Sequence, residues 1–301
     1  MNLLRKIGFF TAFVIPALVI VGYYLGGWWN YLAIAEVFII LPLIDHLLGI
    51  NKENVPKEEE ATVASDYFYR FVTFLWTYFQ VAFVLWGIYV TCFGNITLVH
   101  EWIGFTLSFA LVTGGIGITV AHELGHKKEA IERFYSKVLL LTVSYMHFYI
   151  EHNKGHHVQV ATPEDPATAR KNENFFAFWA RSVIKGYIHA WHIENKRLER
   201  KGKSPLSINN NMIWFTLLPI LLCGAITAAC SIYAGYFTWQ VPTFFFGQSF
   251  LAFSLLQLVN YVEHYGIMRK KNAEGRYERV TPIHSWNASH LLSNFFLFQL
   301  Q

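Results

Sequence analysis

Six stretches of this chain are apolar for about twenty residues each, the length an α-helix needs to cross a lipid bilayer. They run Ile7 to Leu25, Trp28 to Leu48, Phe68 to Phe93, Thr97 to Val120, Met212 to Tyr233 and Trp239 to Tyr261. The fold they predict is all-α, a polytopic membrane protein with six transmembrane helices and a cytoplasmic helical cap over 127–211. Composition agrees, because 54% apolar and 15% charged residues over 301 positions are far from the balance of a soluble domain. Residues 1–301 read as a single domain.

Arg5 and Lys6 precede the first run in the manner of a signal peptide, but the run is long and a second follows at once, so a retained anchor is expected. Pro16 and Pro42 predict kinks, and Asn51 to Asp66, with Pro56 and the acidic run Glu58-Glu59-Glu60, predicts a polar loop. The outer connections, Gly26 to Asn30, Gly94 to Ile96 and Ala234 to Thr238, contain no Lys or Arg. The positive-inside rule therefore puts both termini and the cap in the cytoplasm, which in a bacterium means the inner membrane. A net charge of +4 is explained by this topology and gives no reason to invoke nucleic acid. Cys92, Cys223 and Cys230 all lie in apolar runs, form no C-x-x-C pair and read as small buried hydrophobes.

Where the fourth run gives way to charge stands His122-Glu-Leu-Gly-His126-Lys127. Histidines at i and i+4 share a helix face, so their ring nitrogens can converge on one ion. Glu151-His152-Asn-Lys-Gly-His156-His157 repeats the spacing and adds an adjacent imidazole. Two such boxes are a metal signal that a lone buried histidine is not. If Val138 to Ile150 crossed the bilayer, the boxes would stand about 30 Å apart. That run is therefore expected as a short re-entrant, interfacial or protein-buried helix on the side of the first box. Ala161 to Pro166 predicts a turn, and Phe175 to Arg200 an amphipathic helix with a basic end.

The sixth run ends in Asn260-Tyr-Val-Glu263-His264-Tyr-Gly266, which offers His264 as a further ligand. Glu123, Glu151 and Glu263 each adjoin a box histidine, but neighbouring helical residues point about 100° apart. With Asn260, these carboxylates are expected to support the ligands from behind. His46, His100, His147, His189 and His192 lack a comparable box and read as structural or interfacial.

The three motifs resemble the signatures of the membrane alkane 1-monooxygenases, and the similarity extends through Leu41-Pro-Leu-Ile-Asp45, Ala161 to Arg170 and His284-Ser-Trp-Asn287. The resemblance implies a non-haem centre of two iron ions, held almost wholly by histidine, with His122, His126, His152, His156, His157 and His264 among the ligands. It implies O2 as oxidant, linear alkanes as substrate, membrane lipid as surroundings, and rubredoxin with its reductase as electron source. In that family a further box, Arg-His-Ser-Asp-His-His, follows the Leu-Gln found here as Leu300-Gln301. The resemblance therefore implies a longer chain whose last box supplies the remaining ligands, with rubredoxin either separate or fused.

An alkane has no polar handle, so its selection requires a narrow apolar tunnel. Trp76, Phe79, Trp86, Phe105, Phe109 and Phe253 are candidates to line one or to serve as ordinary helix packing. Related histidine-box enzymes, namely aryl-methyl monooxygenases, fatty-acid hydroxylases and desaturases, are the alternative reading. His122-Glu-Leu-Gly-His126 also satisfies the zincin pattern H-E-x-x-H, but an intramembrane zinc protease leaves the second box unexplained. A metal carrier would need ionisable groups at mid-bilayer depth. No rubredoxin-like cysteine pairs occur, so electrons must come from elsewhere. The basic stretch Arg181, Lys185, Lys196, Arg197, Arg200, Lys201 and Lys203 is expected either to steer an acidic carrier or to meet lipid headgroups.

Overall fold

The computed structural model describes residues 9–49, 67–286, 290 and 293. The acidic loop predicted over Asn51 to Asp66, Ile7, Asn287 and Leu300-Gln301 lie outside the described residues. Among the described residues the secondary structure is helical, apart from isolated bridge residues such as the pair Lys271 and Tyr277. Five helices are long and apolar enough to cross a membrane: α2, Gly27–Leu48; α3, Tyr67–Phe93; α4, Val99–His126; α8, Asn211–Ala234; and α9, Gln240–Glu263. Ahead of them, α1, Phe10–Leu25, is apolar but shorter. Between the spans lie α5, Ala130–Thr142; α6, which begins at Phe148–Glu151 and continues to Gln159; and α7, Phe175–Glu199. Within hydrocarbon only a helix satisfies its own backbone polar groups segment by segment, so apolar runs of this length fold this way. The chain is an integral membrane protein.

Contacts divide the chain into two compact units, the first comprising Met1–Val143, Cys223–Ala252 and Ala288–Gln301, the second Ser144–Leu222 and Phe253–Asn287. In the first unit α1 and α2 form a hairpin through Gly26, whose φ of 69° makes the tight reversal. Glu101 fastens the hairpin to α4 by accepting the backbone N–H of Gly27 at 2.7 Å. Tyr31 donates to the His100 carbonyl at 3.0 Å and Ser108 to the Asn30 carbonyl at 2.7 Å. The His100 ring stacks on Trp28 with centroids 4.8 Å apart. Trp28, Trp29, Tyr233, Tyr236, Phe237 and Trp239 are exposed around the connections that lack basic residues, the place an aromatic belt occupies at a membrane surface.

Pro42 is accommodated by a π-helical turn, Glu36–Ile40, immediately before it. The wider turn relieves the clash of the proline ring with the carbonyl four residues back.

The core of this unit is aromatic, with a buried polar seam through it. Phe83 stacks on Phe109 with ring centroids 4.2 Å apart, and Phe244 meets Phe109 edge-on at 4.9 Å. Of the aromatics considered for a tunnel, Trp76, Phe105 and Phe109 are wholly buried in such ring packing, while Phe79, Trp86 and Phe253 are half-buried. The seam runs from Trp76 Nε1 to Gln80 Oε1 at 2.9 Å and from Gln80 Nε2 to Thr142 Oγ1 at 2.9 Å. Gln248 Nε2 donates to the Thr142 carbonyl and Gln248 Oε1 accepts from Thr113, both at 2.8 Å. With its amides bonded across four helices, the seam ties α3, α4 and α9 to the end of α5 and avoids the cost of unpaired polar groups in an apolar interior. Cys223 is buried as expected, whereas Cys92 and Cys230 are half-buried neighbours close enough for their thiols to hydrogen-bond.

The second unit holds α6, α7 and the adjoining ends of α8 and α9. Glu194, wholly buried, accepts two hydrogen bonds from Arg197 at 2.6 and 2.7 Å and one from the first backbone N–H of α8, at Asn211, at 2.8 Å. Arg181 is spent likewise, forked onto Glu173 and donating to the Pro166 and Thr168 carbonyls. The helix expected over Val138 to Ile150 is two pieces, because α5 ends at Thr142 and Ser144 takes a φ of 51° before α6 begins. The turn comes from one left-handed residue inside an apolar run that carries no glycine or proline.

Gly114, on α4, packs so closely on α9 that a Cβ there would lie 2.7 Å from the Ala252 backbone. Gly114→Val is expected to destabilise the protein by about 1–3 kcal/mol through overpacking, read as a lowered thermal midpoint in detergent.

Candidate metal centre

The first histidine box closes α4. One turn of α-helix separates His122 from His126, and their Nε2 atoms stand 3.0 Å apart with the rings edge to face. Two nitrogens bound to one ion at right angles, each at about 2.1 Å, lie ~3.0 Å apart, so this pair has the spacing of neighbouring ligands on one metal. Glu123 turns away as the helix period requires and pairs with Lys127 at 2.5 Å.

The second box departs from the expected spacing. His152–His156 is a π-helical turn, and the His157 N–H reaches back to the His152 carbonyl, five residues earlier. This wider turn swings His157 under His152, with ring centroids 4.4 Å apart and one ring nitrogen of each within 4.8 Å of the other. His156, four residues from His152, lies farther from it at 5.3 Å and sits 4.9 Å from His264 instead. The i, i+4 pairing read for this box is therefore corrected to i, i+5, because a π turn advances less per residue than an α turn.

His156 and His264 are both buried, and each has its Nδ1 engaged. His156 Nδ1 donates to Asp165 Oδ2 at 2.9 Å. Asp165 is held in turn by Thr168 Oγ1 at 2.5 Å and the Ala167 N–H at 3.1 Å. His264 Nδ1 lies 3.3 Å from the His284 carbonyl, oriented to donate to it. Both arrangements fix the tautomer that presents Nε2 as the coordinating atom, which is how metal-binding imidazoles are commonly oriented. Burial alone would depress the basicity of His156, but the Asp165 carboxylate outweighs it and holds the imidazole well above its ordinary pKa. Asp165 is held below its ordinary range despite its burial, by the facing imidazole and its hydrogen bonds. The neighbouring His264 goes the other way, its pKa lowered by burial and by the His156 charge beside it.

Of the other candidates, Glu151 is buried behind the second box, with Oε1 3.5 Å from His189 Nδ1. Asn260 lines the same small cavity as Glu151 and His152. Glu263 is half-exposed, with Oε1 3.9 Å from His264 Nε2. His147 is buried and held neutral, burial pulling its pKa down to about 4. His189 and His192 line an open surface cavity of about 740 Å³. Two residues without an assigned role in the sequence emerge here, Asp165 and His284. Asp165 stands nine positions from His156 across a turn, beside the equally acidic Glu164, so no helical spacing distinguishes it.

Residues 96–301 match the fatty acid desaturase family. Alkane 1-monooxygenase 2 of Alcanivorax borkumensis is 36% identical over 91% of this chain and 70% of its own length. Alkane 1-monooxygenase 1 of Pseudomonas aeruginosa is 38% identical over 91% of this chain and 70% of its own. The chain belongs to the alkane 1-monooxygenase family. The hydroxylase component of a xylene/toluene monooxygenase from Pseudomonas putida is also similar, at 26% identity over 91% of this chain and 69% of its own length. Alkane 1-monooxygenase relatives thus share markedly more identity with it than this aryl-methyl relative does, and the protein is a membrane oxidoreductase of the alkane-hydroxylating type.

Asp165→Asn removes the charge that orients His156 and is expected to weaken metal binding by about 10–100-fold. Glu123→Gln, which breaks the pairing with Lys127, is expected to leave it within about twofold of the parent. Metal titration of the two purified variants distinguishes the roles.

Proposed function

We propose that the protein inserts one oxygen atom of O2 into a terminal C–H bond of a linear alkane, RH + O2 + 2e⁻ + 2H⁺ giving ROH + H2O. The supporting observation is the set of convergent imidazoles, His122 with His126, His152 with His157 and His156 with His264, in a chain similar to alkane 1-monooxygenases over nine-tenths of its length. These six histidines would hold a centre of two iron ions, and residues 1–301 would act as a single oxygenase domain. When bound, the iron supplies the redox equivalents that let O2 attack an unactivated C–H bond.

The chain's own residues do the rest. Asp165 and the His284 carbonyl engage Nδ1 of His156 and His264, which leaves Nε2 of each as the atom that would bind the ion. Burial of both rings limits water at the donor atoms.

In this reading the centre and both termini face the cytoplasm of a bacterium, supported by connections without basic residues on the opposite side. The two electrons come from rubredoxin. Of the basic residues considered for its docking, Arg181 and Arg197 are committed to Glu173 and Glu194, which leaves exposed Lys185, Lys196, Arg200, Lys201 and Lys203 as the steering charge.

Iron near two per chain in the full-length protein, with a primary alcohol formed from an alkane, is the expected result of metal and product analysis; a single zinc, or an olefin from an acyl chain, overturns the reading. Each of the six histidines changed to Ala should abolish hydroxylation while leaving membrane insertion intact, and His100→Ala should remain active. Changing Lys196, Arg200 and Lys201 to Glu should slow reduction by rubredoxin and flatten its response to salt between about 50 and about 300 mM, without affecting reduction by a small chemical reductant.

A further inference from the structure

Behind the second histidine box, α6, α7 and α9 enclose a cavity of about 10 Å³ whose lining includes Tyr145, Glu151, His152, Ser182, Gly186 and Gln257. Two of the side chains that line it each carry a buried acceptor without a hydrogen-bond partner. Glu151 Oε1 and Gln257 Oε1 are both unmatched acceptors, on side chains whose residues are only 6% and 3% exposed. The ring nitrogen of His189 that faces the first, Nδ1, is 3.5 Å away, too far for an effective hydrogen bond. Buried acceptors left in this state are rare in folded proteins and point to a small polar occupant.

Tyr145 supplies the complementary donor. Its hydroxyl oxygen accepts from Gln257 Nε2 at 3.1 Å, which leaves its own hydrogen to be placed. Burial, reinforced by the field of Glu151, raises the pKa of the phenol and keeps that hydrogen on it. The cavity thus offers one donor and two acceptors in a space at the lower bound for a single water, roughly 10–15 Å³.

We infer that this cavity is a binding site for one ordered water, which accepts a hydrogen bond from Tyr145 and donates one each to Glu151 Oε1 and Gln257 Oε1. Three such bonds are the usual complement of a buried water. The water ties α6, one residue before His152, to α9, seven residues before His264. It is a polar link between the two histidine-bearing helices of this unit. No group changes its charge in this arrangement, and the inference does not depend on which metal the histidines hold.

Gly186 provides the variant. A Cβ built there meets only Glu151 Cγ, at 3.8 Å, so Gly186→Ala places a methyl group at the cavity wall without disturbing backbone. In an experimental structure of the full-length protein in lipid, at about 2 Å or better, a solvent peak within hydrogen-bond distance of all three atoms is expected. An empty cavity, or direct contact of Glu151 with Tyr145 or Gln257, overturns the inference. Gly186→Ala should lose that peak and lower the thermal midpoint by about 2–4 °C, although alanine favours helix over glycine. An unchanged or raised midpoint shows that the methyl group filled a dry void and overturns it as well.

Discussion

Lipid offers a peptide backbone nothing to bond to, and this requirement governs where chemistry can be placed in the chain. Each span keeps its N–H and C=O groups bonded within its own helix. Charged and imidazole groups are costly at mid-depth and collect near helix ends. The first box ends α4 and His264 directly follows α9. The second box lies on α6, which is short enough to carry polar residues throughout. Where polar side chains do enter the apolar interior, as Gln80 and Gln248 do, their amides bond to partners on other helices.

Much of this was legible in the chain itself. Apolar run length predicts five of the long helices to within a few residues, because the bilayer sets a minimum and the flanking polar residues set the stops. The boxes were legible for a similar reason, since helical periodicity says which side chains share a face. What periodicity does not carry is contact across turns. Asp165 reaches His156 through a loop whose path depends on Ala161 taking a φ of 59° and Thr168 bonding back to its N–H, and no local pattern encodes that. The break at Ser144 is similar, one residue's dihedral in an otherwise continuous apolar run.

Charge was legible as composition but not as availability. Arg181 and Arg197 sit in a basic stretch that reads as an exposed surface, yet each guanidinium forks onto a carboxylate and further carbonyls. Arginine's planar set of donors suits it to that use, while the lysines nearby stay solvated as point charges. Residues of one sign in one segment thus divide between holding the fold together and shaping the external field.

The π turn at His152–His156 has a consequence for how this protein tolerates change. Along an α-helix, each added or removed residue rotates everything beyond it by about 100°, and no phase is special. A π turn amounts to one surplus residue stored inside a helix, so it marks a place where length and phase have already been exchanged. Removing one of Asn153, Lys154 or Gly155 would return the backbone to ordinary helix with His157 still one turn from His152, yet would shift His156 out of the place it holds now beside His264. The segment is therefore permissive in folding and unforgiving in function. Loss of one codon there would leave a protein that inserts and packs normally but whose histidine register is wrong.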